Sequence, residues 1–333
     1  MRCFPAAVVG LGNIGLGYDL GSNDAARVAT HARAFAHHPG YRLVAGIDPD
    51  PAARALFEQH YQAPAFADIG AILAAGVQPE VWSIAAPTLL HSQVFFDVIA
   101  LRPVAILCEK PLAACVAEAE AMVTAATECG CVLAVNYMRR FEPGVLSLRR
   151  LLADGALGEI YKGCAWYSKG LLNNGSHVID LLAFLLGDAG EVQVLESGRT
   201  WAGRDPEPDV RLAFGAARIV LLAAREECFS HVGIELIGTG GTARYADGGH
   251  RIEVRRARSE SALPGYRMLA SEAEMLPTEL KRYQWHAVDS LHQHLCDGAP
   301  LRSSGATALD TLRTVDRIRM ALDTSEGNGR HDH

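Results

Sequence analysis

The residues with the clearest chemical meaning form a glycine turn near the N-terminus. The motif Gly10-Leu11-Gly12-Asn13-Ile14-Gly15 directly follows an apolar run at residues 6–9. After a strand, the first glycine of such a motif permits a tight turn, the second lets the backbone approach a pyrophosphate, and the third lets a helix pack closely. Amides at the start of that helix can then receive phosphates. The motif predicts a dinucleotide site, and the alternative is a glycine triplet that occurs in a loop by chance.

A carboxylate follows the second predicted strand. Asp48 ends the apolar run 41–47, where a carboxylate can bind both hydroxyls of an adenine ribose. It would repel a 2′-phosphate, and Pro49-Asp50-Pro51 supplies no arginine to bind one, so we expect NAD rather than NADP. Gly15 and Asp48 are 33 residues apart, whereas about 20 is usual, which predicts an insertion at about residues 18–30. The alternative for Asp48 is a turn residue before proline.

Two further polar segments follow later apolar runs. Cys108-Glu109-Lys110-Pro111 comes after one of them, and Ala86-Pro87-Thr88, with His91 three residues on, comes after another. The carboxyl ends of parallel strands form the ligand-binding edge of a doubly wound sheet. Proline disfavours helical geometry at Lys110, so we expect its ammonium in a fixed loop that faces the cofactor. There a lysine can orient a substrate hydroxyl, or accept its proton if burial lowers the pKa of the lysine.

The elements that must position these residues alternate between strands and helices. Up to about residue 137, short apolar runs suit strands buried on both faces, and helix-like segments such as 25–38 separate them. This series predicts a doubly wound, parallel α/β domain. After Arg140, strand-like segments follow one another with Gly-rich turns, which predicts a large, mostly antiparallel open sheet in an α+β domain.

We therefore expect three regions in the chain. Residues 1–137 would form the dinucleotide-binding domain, and the last helices of the chain could pack back on it. Residues 138–324 would form a domain for substrate binding and oligomerisation. The polar segment 325–333, which contains two glycines, is expected to be a flexible tail.

Composition excludes several classes of protein. Of 333 residues, 49% are hydrophobic and 21% are charged, which is typical of globular rather than disordered chains. The net charge of −7 and the lack of a basic block argue against nucleic acid as a partner. The eight cysteines show no zinc-binding spacing, so we expect reduced, mostly buried thiols and no metal site. We find no leader-like N-terminus or bilayer-length apolar run, so we expect a soluble cytoplasmic protein with no membrane partner.

Taken together, these motifs resemble those of the Gfo/Idh/MocA oxidoreductase family. The resemblance includes the glycine turn, Asp48, Ala86-Pro87-Thr88 with His91, and Glu109-Lys110-Pro111, and it covers nearly the whole chain. It implies an NAD(P)-binding Rossmann domain, followed by an α/β domain whose open sheet often serves in oligomer contacts. We therefore expect a homodimer or homotetramer.

The same resemblance implies roles for individual residues of the first domain. Lys110 would lie close to the nicotinamide and the substrate. Glu109 and the region from Ala86 to His91, including Pro87 and Thr88, would help to hold the cofactor. Asn136 with Arg139-Arg140-Phe141 resembles a family segment whose arginine is often near the substrate, which makes Arg140 a substrate-binding candidate.

The second catalytic element of the family is a D-x-x-x-H pattern that opens a helix in the second domain. Here the matching residues are Asn173-Asn174-Gly175-Ser176-His177, with Asp180 on the same helical face, and Asn173 and Asp180 are candidates for substrate binding. An amide cannot take a proton, so we expect His177 to do the acid/base work with Lys110 assisting. Lys169 could bind a phosphate or carboxylate. The alternatives are a helix-capping or core role for His177 and a solvated loop position for Lys169.

The resemblance and these residues together imply an NAD-dependent dehydrogenase that converts a secondary alcohol of a sugar or sugar derivative to a ketone, or the reverse. Lys169, Arg140 and Asn173 would suit an anionic, hydroxyl-rich substrate such as a nucleotide sugar. Two alternatives stay open: a nucleotide-binding regulatory protein that has lost turnover, and an NAD-dependent glycoside hydrolase. Tyr18-Asp19 and His31, in or beside the predicted insertion, could fold over the edge of the cofactor.

Overall fold

A computed structural model describes residues 2–260 and 264–328. The described chain divides into two compact units. The first contains the chain up to Phe141 together with Lys281–Leu309, and the second contains Glu142–Leu280 together with the chain from Asp310 onward. The first unit thus consists of two separate stretches of the chain, and the second stretch comes from near its C-terminal end.

The first unit is built on a parallel sheet of six strands. Its strands are β1 Phe4–Val9, β2 Tyr41–Ile47, β3 Ala65–Phe66, β4 Val81–Ile84, β5 Ala105–Cys108 and β6 Val132–Val135. They lie in the order β3-β2-β1-β4-β5-β6, and every pair is parallel. This is the doubly wound order, which reverses between β1 and β4 and so opens a crevice at that point. The predicted parallel α/β domain is confirmed.

Helices connect these strands and cover the sheet. They are α1 His31–His37, α2 Pro51–Tyr61, α3 Ile69–Ala74, α4 His91–Ile99, α5 Val116–Cys129 and, from the late segment, α8 Tyr283–Asp297. Local sequence sets several of their ends: Asp50 caps α2 ahead of Pro51, and Gly130 ends α5 in the left-handed conformation. The core of the unit contains residues such as Phe4, Phe35 and Phe57, together with Val288 and Leu291 of α8.

The second unit is built on a larger mixed sheet. Within the described residues its strands are β7 Ile160–Tyr167, β8 Ala189–Trp201, β9 Asp205–Phe214, β10 Ala217–Ala223, β11 Gly233–Gly238, β12 Gly241–Ala246, β13 Arg251–Ser259, β14 Arg267–Leu269 and β15 Glu274–Leu276. The order is β14-β13-β12-β11-β7-β10-β9-β8, with β15 also paired to β13. Only β7 and β10 pair in parallel among these strands, so the predicted mostly antiparallel sheet is confirmed.

Two helices of the second unit, α6 Pro143–Ala153 and α7 Ser176–Leu186, belong to its core, and α9 Gly305–Asn328 begins in the first unit and ends in the second. Because α9 extends to Asn328, the first four residues of the predicted tail are helical, and 329–333 lie outside the described residues. None of the helices in the described ranges is long and apolar enough to cross a membrane.

Two expectations were wrong in detail. The helix predicted at 25–38 begins only at His31, because the Asp19 carboxylate binds the amide of Ala29 and the hydroxyl of Thr30 and holds the preceding segment as a loop. The cysteines are free, but five of the eight are exposed rather than mostly buried. These five lie in loops or near element ends, outside the apolar faces: Cys3, Cys115, Cys129, Cys228 and Cys296.

Candidate active site

The glycine turn uses its three glycines in different ways. A Cβ on Gly10, whose φ is +93°, would lie 2.6 Å from backbone atoms of Ala85 and Ala86. A Cβ on Gly15 would lie 1.9 Å from the carbonyl oxygen of Gly10. At Gly12, by contrast, no described atom lies within 4 Å of the added Cβ. Gly10 and Gly15 are therefore required for packing within the protein, whereas Gly12 leaves open space above the turn.

The insertion predicted from the long Gly15–Asp48 spacing is a closed loop of residues 16–30. The two ends of this loop lie next to each other, because the His31 amide donates to Ile14 O at 3.1 Å and the Ala32 amide donates to Gly15 O at 3.0 Å. Without residues 16–30, Gly15 and Asp48 would be 18 residues apart, which is close to the usual spacing of about 20. The loop is therefore an addition between the turn and α1 that leaves the rest of the usual spacing unchanged.

Asp48 lies beside the turn at the end of β2. Its Oδ2 accepts a hydrogen bond from the Leu11 amide at 2.7 Å, and its Oδ1 accepts one from the Asp50 amide at 2.9 Å. Each carboxylate oxygen has a second lone pair, so both can still accept from a ribose diol. Arg54, which sequence reasoning missed, donates to the carbonyl oxygens of Asp48 and Pro49 at 2.8 and 2.9 Å.

An open cleft of about 1100 Å³ lies above the turn. Among the predicted cofactor ligands it is lined by Gly10, Gly12, Asn13, Ile14, Asp48, Ala86 and Pro87. Polar groups occur at the turn and at Asp48, and most of the remaining lining is apolar, as in many cofactor sites. The open space at Gly12, the free lone pairs of Asp48 and the apolar walls fit a dinucleotide.

His91 does not line this cleft, but it contacts two loops that follow strands of the sheet. The ring is buried, with Nδ1 2.9 Å from Pro111 O and Nε2 2.9 Å from Ala86 O. The loop after β4 is thereby tied to the loop after β5, which carries Lys110. Thr88 begins a short 3-10 turn that leads into α4. His91 therefore fixes these two loops relative to each other without facing the cleft.

Glu109 is part of a buried polar chain. His31 Nε2 lies 2.8 Å from Glu109 Oε1, and His31 Nδ1 lies 2.7 Å from Ser83 Oγ. On the other side, Asn136 donates both to Glu109 Oε1 and, at 2.7 Å, to Gln284 Oε1. The sequence gives no sign of this chain, because His31 and Glu109 are 78 residues apart.

The charge state of Glu109 follows from these contacts. Burial alone would raise the pKa of the Glu109 carboxyl, but the hydrogen bonds from His31 and Asn136 and the charges of His31 and Lys110 outweigh it and lower the pKa. An ionised Glu109 therefore sits directly before Lys110 in the chain. It anchors the start of the loop that carries the candidate catalytic lysine.

The candidate residues of the second unit lie around a π-helical turn, Gly170–Gly175, that runs into α7. Such turns are rare and occur often at functional sites. The Asp205 carboxylate accepts hydrogen bonds from the amides of Leu172 and Asn173, both at 3.0 Å. Burial raises the pKa of Asp205, although these two bonds oppose the rise. His177, in the first turn of α7, is 7% exposed.

Three other substrate-binding candidates have protein partners. Lys169 forms an ion pair with Glu226 at 2.9 Å. Asp180 is buried and accepts a hydrogen bond from Thr311 Oγ1 at 3.2 Å. In the first unit, Arg140 is buried and donates to Arg302 O at 3.2 Å. In the described part of the chain, no group of three or more His, Cys, Asp or Glu side chains is arranged to hold a metal ion.

A doubly wound sheet with a glycine turn after β1 and a carboxylate after β2 defines a dinucleotide-binding Rossmann domain. The model of the Gfo/Idh/MocA oxidoreductase family, described as an oxidoreductase family with an NAD-binding Rossmann fold, matches residues 4–137. This match covers about two fifths of the chain and includes the glycine turn, Asp48 and Glu109-Lys110-Pro111, so the predicted resemblance to this family is confirmed for that segment.

Curated relatives of this chain include two that are named as dehydrogenases of sugars or glycosides. D-apiose dehydrogenase from Paraburkholderia graminis is 26% identical over 315 residues, which cover 86% of this chain and 82% of that protein. D-glucoside 3-dehydrogenase from Escherichia coli is 30% identical over 178 residues, which cover 47% of this chain and 50% of that protein. The chain thus spans about half the length of some curated relatives that it matches.

Solved structures share the fold over almost the whole chain. An NAD binding oxidoreductase from Klebsiella pneumoniae has a TM-score of 0.81 at 20% identity and covers 98% of both chains. Levoglucosan dehydrogenase, solved with NADH and levoglucosan, has a TM-score of 0.80 at 17% identity and covers 97% of this chain and 98% of its own. At these identities the likeness establishes the fold.

Proposed function

We propose that this protein is an NAD-dependent dehydrogenase that oxidises a secondary alcohol of a sugar or sugar derivative to a ketone, or catalyses the reverse. One observation carries the proposal: Lys110 follows the buried Glu109 at the carboxyl end of β5, on the same sheet that carries the glycine turn and Asp48. The names of D-apiose dehydrogenase and D-glucoside 3-dehydrogenase support a sugar-type substrate.

The proposed chemistry gives each candidate residue one role. Bound NAD⁺ supplies the hydride acceptor. Amides of the glycine turn bind the pyrophosphate, and Asp48 binds the adenine ribose. Lys110 donates a hydrogen bond that orients the substrate hydroxyl. His177 accepts the hydroxyl proton as general base, and the amide of Asn173, which cannot take a proton, holds another hydroxyl.

Other residues have supporting roles in this proposal. Thr88 and His91 hold the cofactor-binding loop after β4, and Glu109 holds the loop of Lys110. Arg140, Lys169 and Asp180 are the further substrate-binding residues. Because Lys169 is paired with Glu226, its charge is partly balanced, so nucleotide sugars have to be tested beside neutral sugars.

The experiment follows nicotinamide absorbance with NAD⁺ and NADP⁺ against nucleotide sugars, inositols and simple sugars. The panel is repeated with Lys110→Ala and His177→Ala. For an accepted substrate, we expect His177→Ala to lower kcat about a hundredfold or more, as is usual when a general base is lost, with NAD⁺ affinity little changed. If turnover survives in His177→Ala but not in Lys110→Ala, the base is Lys110.

A different outcome would favour another function. If the wild-type protein binds NAD⁺ but no substrate changes the absorbance, product analysis of glycosides separates the two alternatives. Glycoside cleavage without net NAD⁺ reduction would indicate an NAD-dependent hydrolase. No turnover at all would indicate a regulatory nucleotide-binding protein, for which the asparagine at position 173 is the supporting observation.

We also propose a homodimer or homotetramer in the cytoplasm. The second sheet has half-exposed apolar side chains on one face, among them Trp166 and Ile237, whose strands pair in the register that puts both on the same side. A second copy of the sheet would cover them. Light scattering that gives the mass of one chain would contradict the oligomer, and recovery of the protein in a membrane fraction would contradict the location.

A further inference from the structure

The two ends of the loop of residues 16–30, called here the insertion loop, are joined by one buried carboxylate. Asp19 accepts hydrogen bonds from the Ala29 amide at 2.9 Å and from Thr30 Oγ1 at 2.8 Å. Arg27 adds a charge contact at 3.6 Å. A single side chain thus joins the start of the loop to its end, across about ten residues.

The late segment of the first unit braces the same loop. Tyr283 donates from its hydroxyl to Ala29 O at 2.8 Å, and the Val28 amide donates to Lys281 O at 2.9 Å. Lys281 also pairs with Asp24 at 3.2 Å. With bonds at several points along its length, the insertion loop has a defined conformation before any ligand binds.

Tyr18 is the residue that this loop presents to the cleft. Its amide donates to Asn13 O at 2.9 Å, which places Tyr18 directly beside the phosphate-binding turn. The side chain is 51% exposed, and it lines the same cleft as Gly12, Asn13 and Pro87. A large, half-exposed aromatic ring next to the buried Asp19 leaves apolar surface that a ligand in the cleft would cover.

We propose that the insertion loop is a preformed cover for the dinucleotide and that the ring of Tyr18 packs against the bound dinucleotide beyond its AMP half. This inference rests on dinucleotide binding at the glycine turn, which is part of the function proposed above. Because Asp19 already holds the loop, ligand binding orders few new groups. The contact therefore contributes to affinity rather than being offset by the cost of ordering a mobile loop.

The test is the affinity for NAD⁺ by titration calorimetry. We expect Tyr18→Ala to raise the Kd for NAD⁺ about fivefold or more. Tyr18→Phe, which keeps the ring, should stay within about twofold of wild type. AMP, which lacks the pyrophosphate and the nicotinamide half, should bind wild type and Tyr18→Ala equally well. Tyr266→Ala, which replaces an exposed tyrosine of the second unit, is the matched control.

A double-mutant cycle separates positioning from general stability. If Asp19 acts by holding Tyr18 in place, Asp19→Asn should weaken NAD⁺ binding in the wild-type background and have no further effect in Tyr18→Ala. Additive effects would contradict this link between the two residues.

The outcomes distinguish this inference from the proposed function. A wild-type protein that binds neither NAD⁺ nor NADP⁺ would contradict the proposed function itself. NAD⁺ binding that is equal in wild type and Tyr18→Ala would overturn only the role of Tyr18. An equal loss of AMP affinity, or a loss in Tyr18→Phe as large as in Tyr18→Ala, would also overturn the ring contact.

Discussion

At the residue scale, two carboxylates at the ends of parallel strands have different surroundings. Asp48 lines the cleft and accepts bonds from two backbone amides. Glu109 is enclosed by His31 and Asn136 and does not line the cleft. A carboxylate therefore faces the cleft at one strand end and is enclosed within the protein at another.

Asp48 should decide the choice between the two nicotinamide cofactors. Replacing it by serine together with Pro49→Arg removes the repulsion of a 2′-phosphate and supplies a cation to bind one. We expect the ratio of NADP⁺ to NAD⁺ affinity to rise about tenfold or more, which corresponds to about 1.4 kcal/mol. Calorimetric titration with both cofactors measures it, and an unchanged ratio would mean that Asp48 is not the ribose ligand.

Glu109 should contribute to stability in a pH-dependent way. Because folding lowers the pKa of its carboxyl from the usual 4.5, its stabilising effect is complete above that value and is lost as the pH falls through the lowered pKa. We expect Glu109→Gln to reduce the free energy of unfolding by about 1–3 kcal/mol at pH 7.

The difference in free energy of unfolding between wild type and Glu109→Gln should become smaller as the pH falls. Denaturant unfolding at several pH values between 7 and 3 measures this difference. Glu128→Gln, at an exposed position of α5, is the control for the change from carboxylate to amide. If the difference in free energy of unfolding between wild type and Glu109→Gln does not change with pH, the lowered pKa of Glu109 is contradicted.

At the scale of an element, the glycine turn combines two requirements that a motif search does not separate. Gly15 has no room for a side chain because the Gly10 carbonyl lies against it. Gly12 has room on the protein side, and only a bound ligand would meet its side chain. The fold therefore requires a glycine at position 15, whereas at position 12 it leaves room for a side chain.

Alanine at each position should separate these two roles. We expect Gly15→Ala to lower the free energy of unfolding by about 3 kcal/mol or more, since the new Cβ overlaps backbone. Gly12→Ala should change stability by only about 0.5 kcal/mol but should weaken NAD⁺ binding at least tenfold, or about 1.4 kcal/mol. Thermal unfolding measures the stability of both variants, and titration measures their affinity for NAD⁺. If the two variants lose stability and NAD⁺ affinity to the same extent, the two glycines do not have separate roles.

At the scale of the whole molecule, the dinucleotide-binding unit is not a continuous stretch of chain. Val288 and Leu291 of α8 are buried in its core. The Tyr41 hydroxyl donates to Val288 O at 3.0 Å, and Gln284 ends the polar chain that begins at Ser83. The segment matched by the family model therefore lacks part of its own core.

A fragment that ends at residue 141 should not fold on its own. Without Lys281–Leu309 it exposes the apolar surface that α8 covers and leaves Asn136 without its partner Gln284. We expect no cooperative thermal transition and no NAD⁺ binding from this fragment. A fusion of 1–141 to 281–309 through a flexible linker should recover both, and recovery by the short fragment alone would contradict the discontinuous unit.

The sequence by itself determined the class of the first unit, its parallel sheet and the residues of the glycine turn. Apolar runs and glycine spacing are local patterns, and they reflect backbone geometry and burial within a few residues of chain. They also predicted the insertion, because the Gly15–Asp48 spacing was too long for one crossover.

Only the tertiary structure decided which polar side chains meet. His31 joins Glu109 across 78 residues and Asn136 joins Gln284 across 148, and no local pattern encodes such pairs. For the same reason the start of α1 at His31 could not be predicted, since Asp19 competes with the helix for the amide of Ala29. Long-range contacts depend on how strands are ordered and where late segments return, and these are properties of the folded chain.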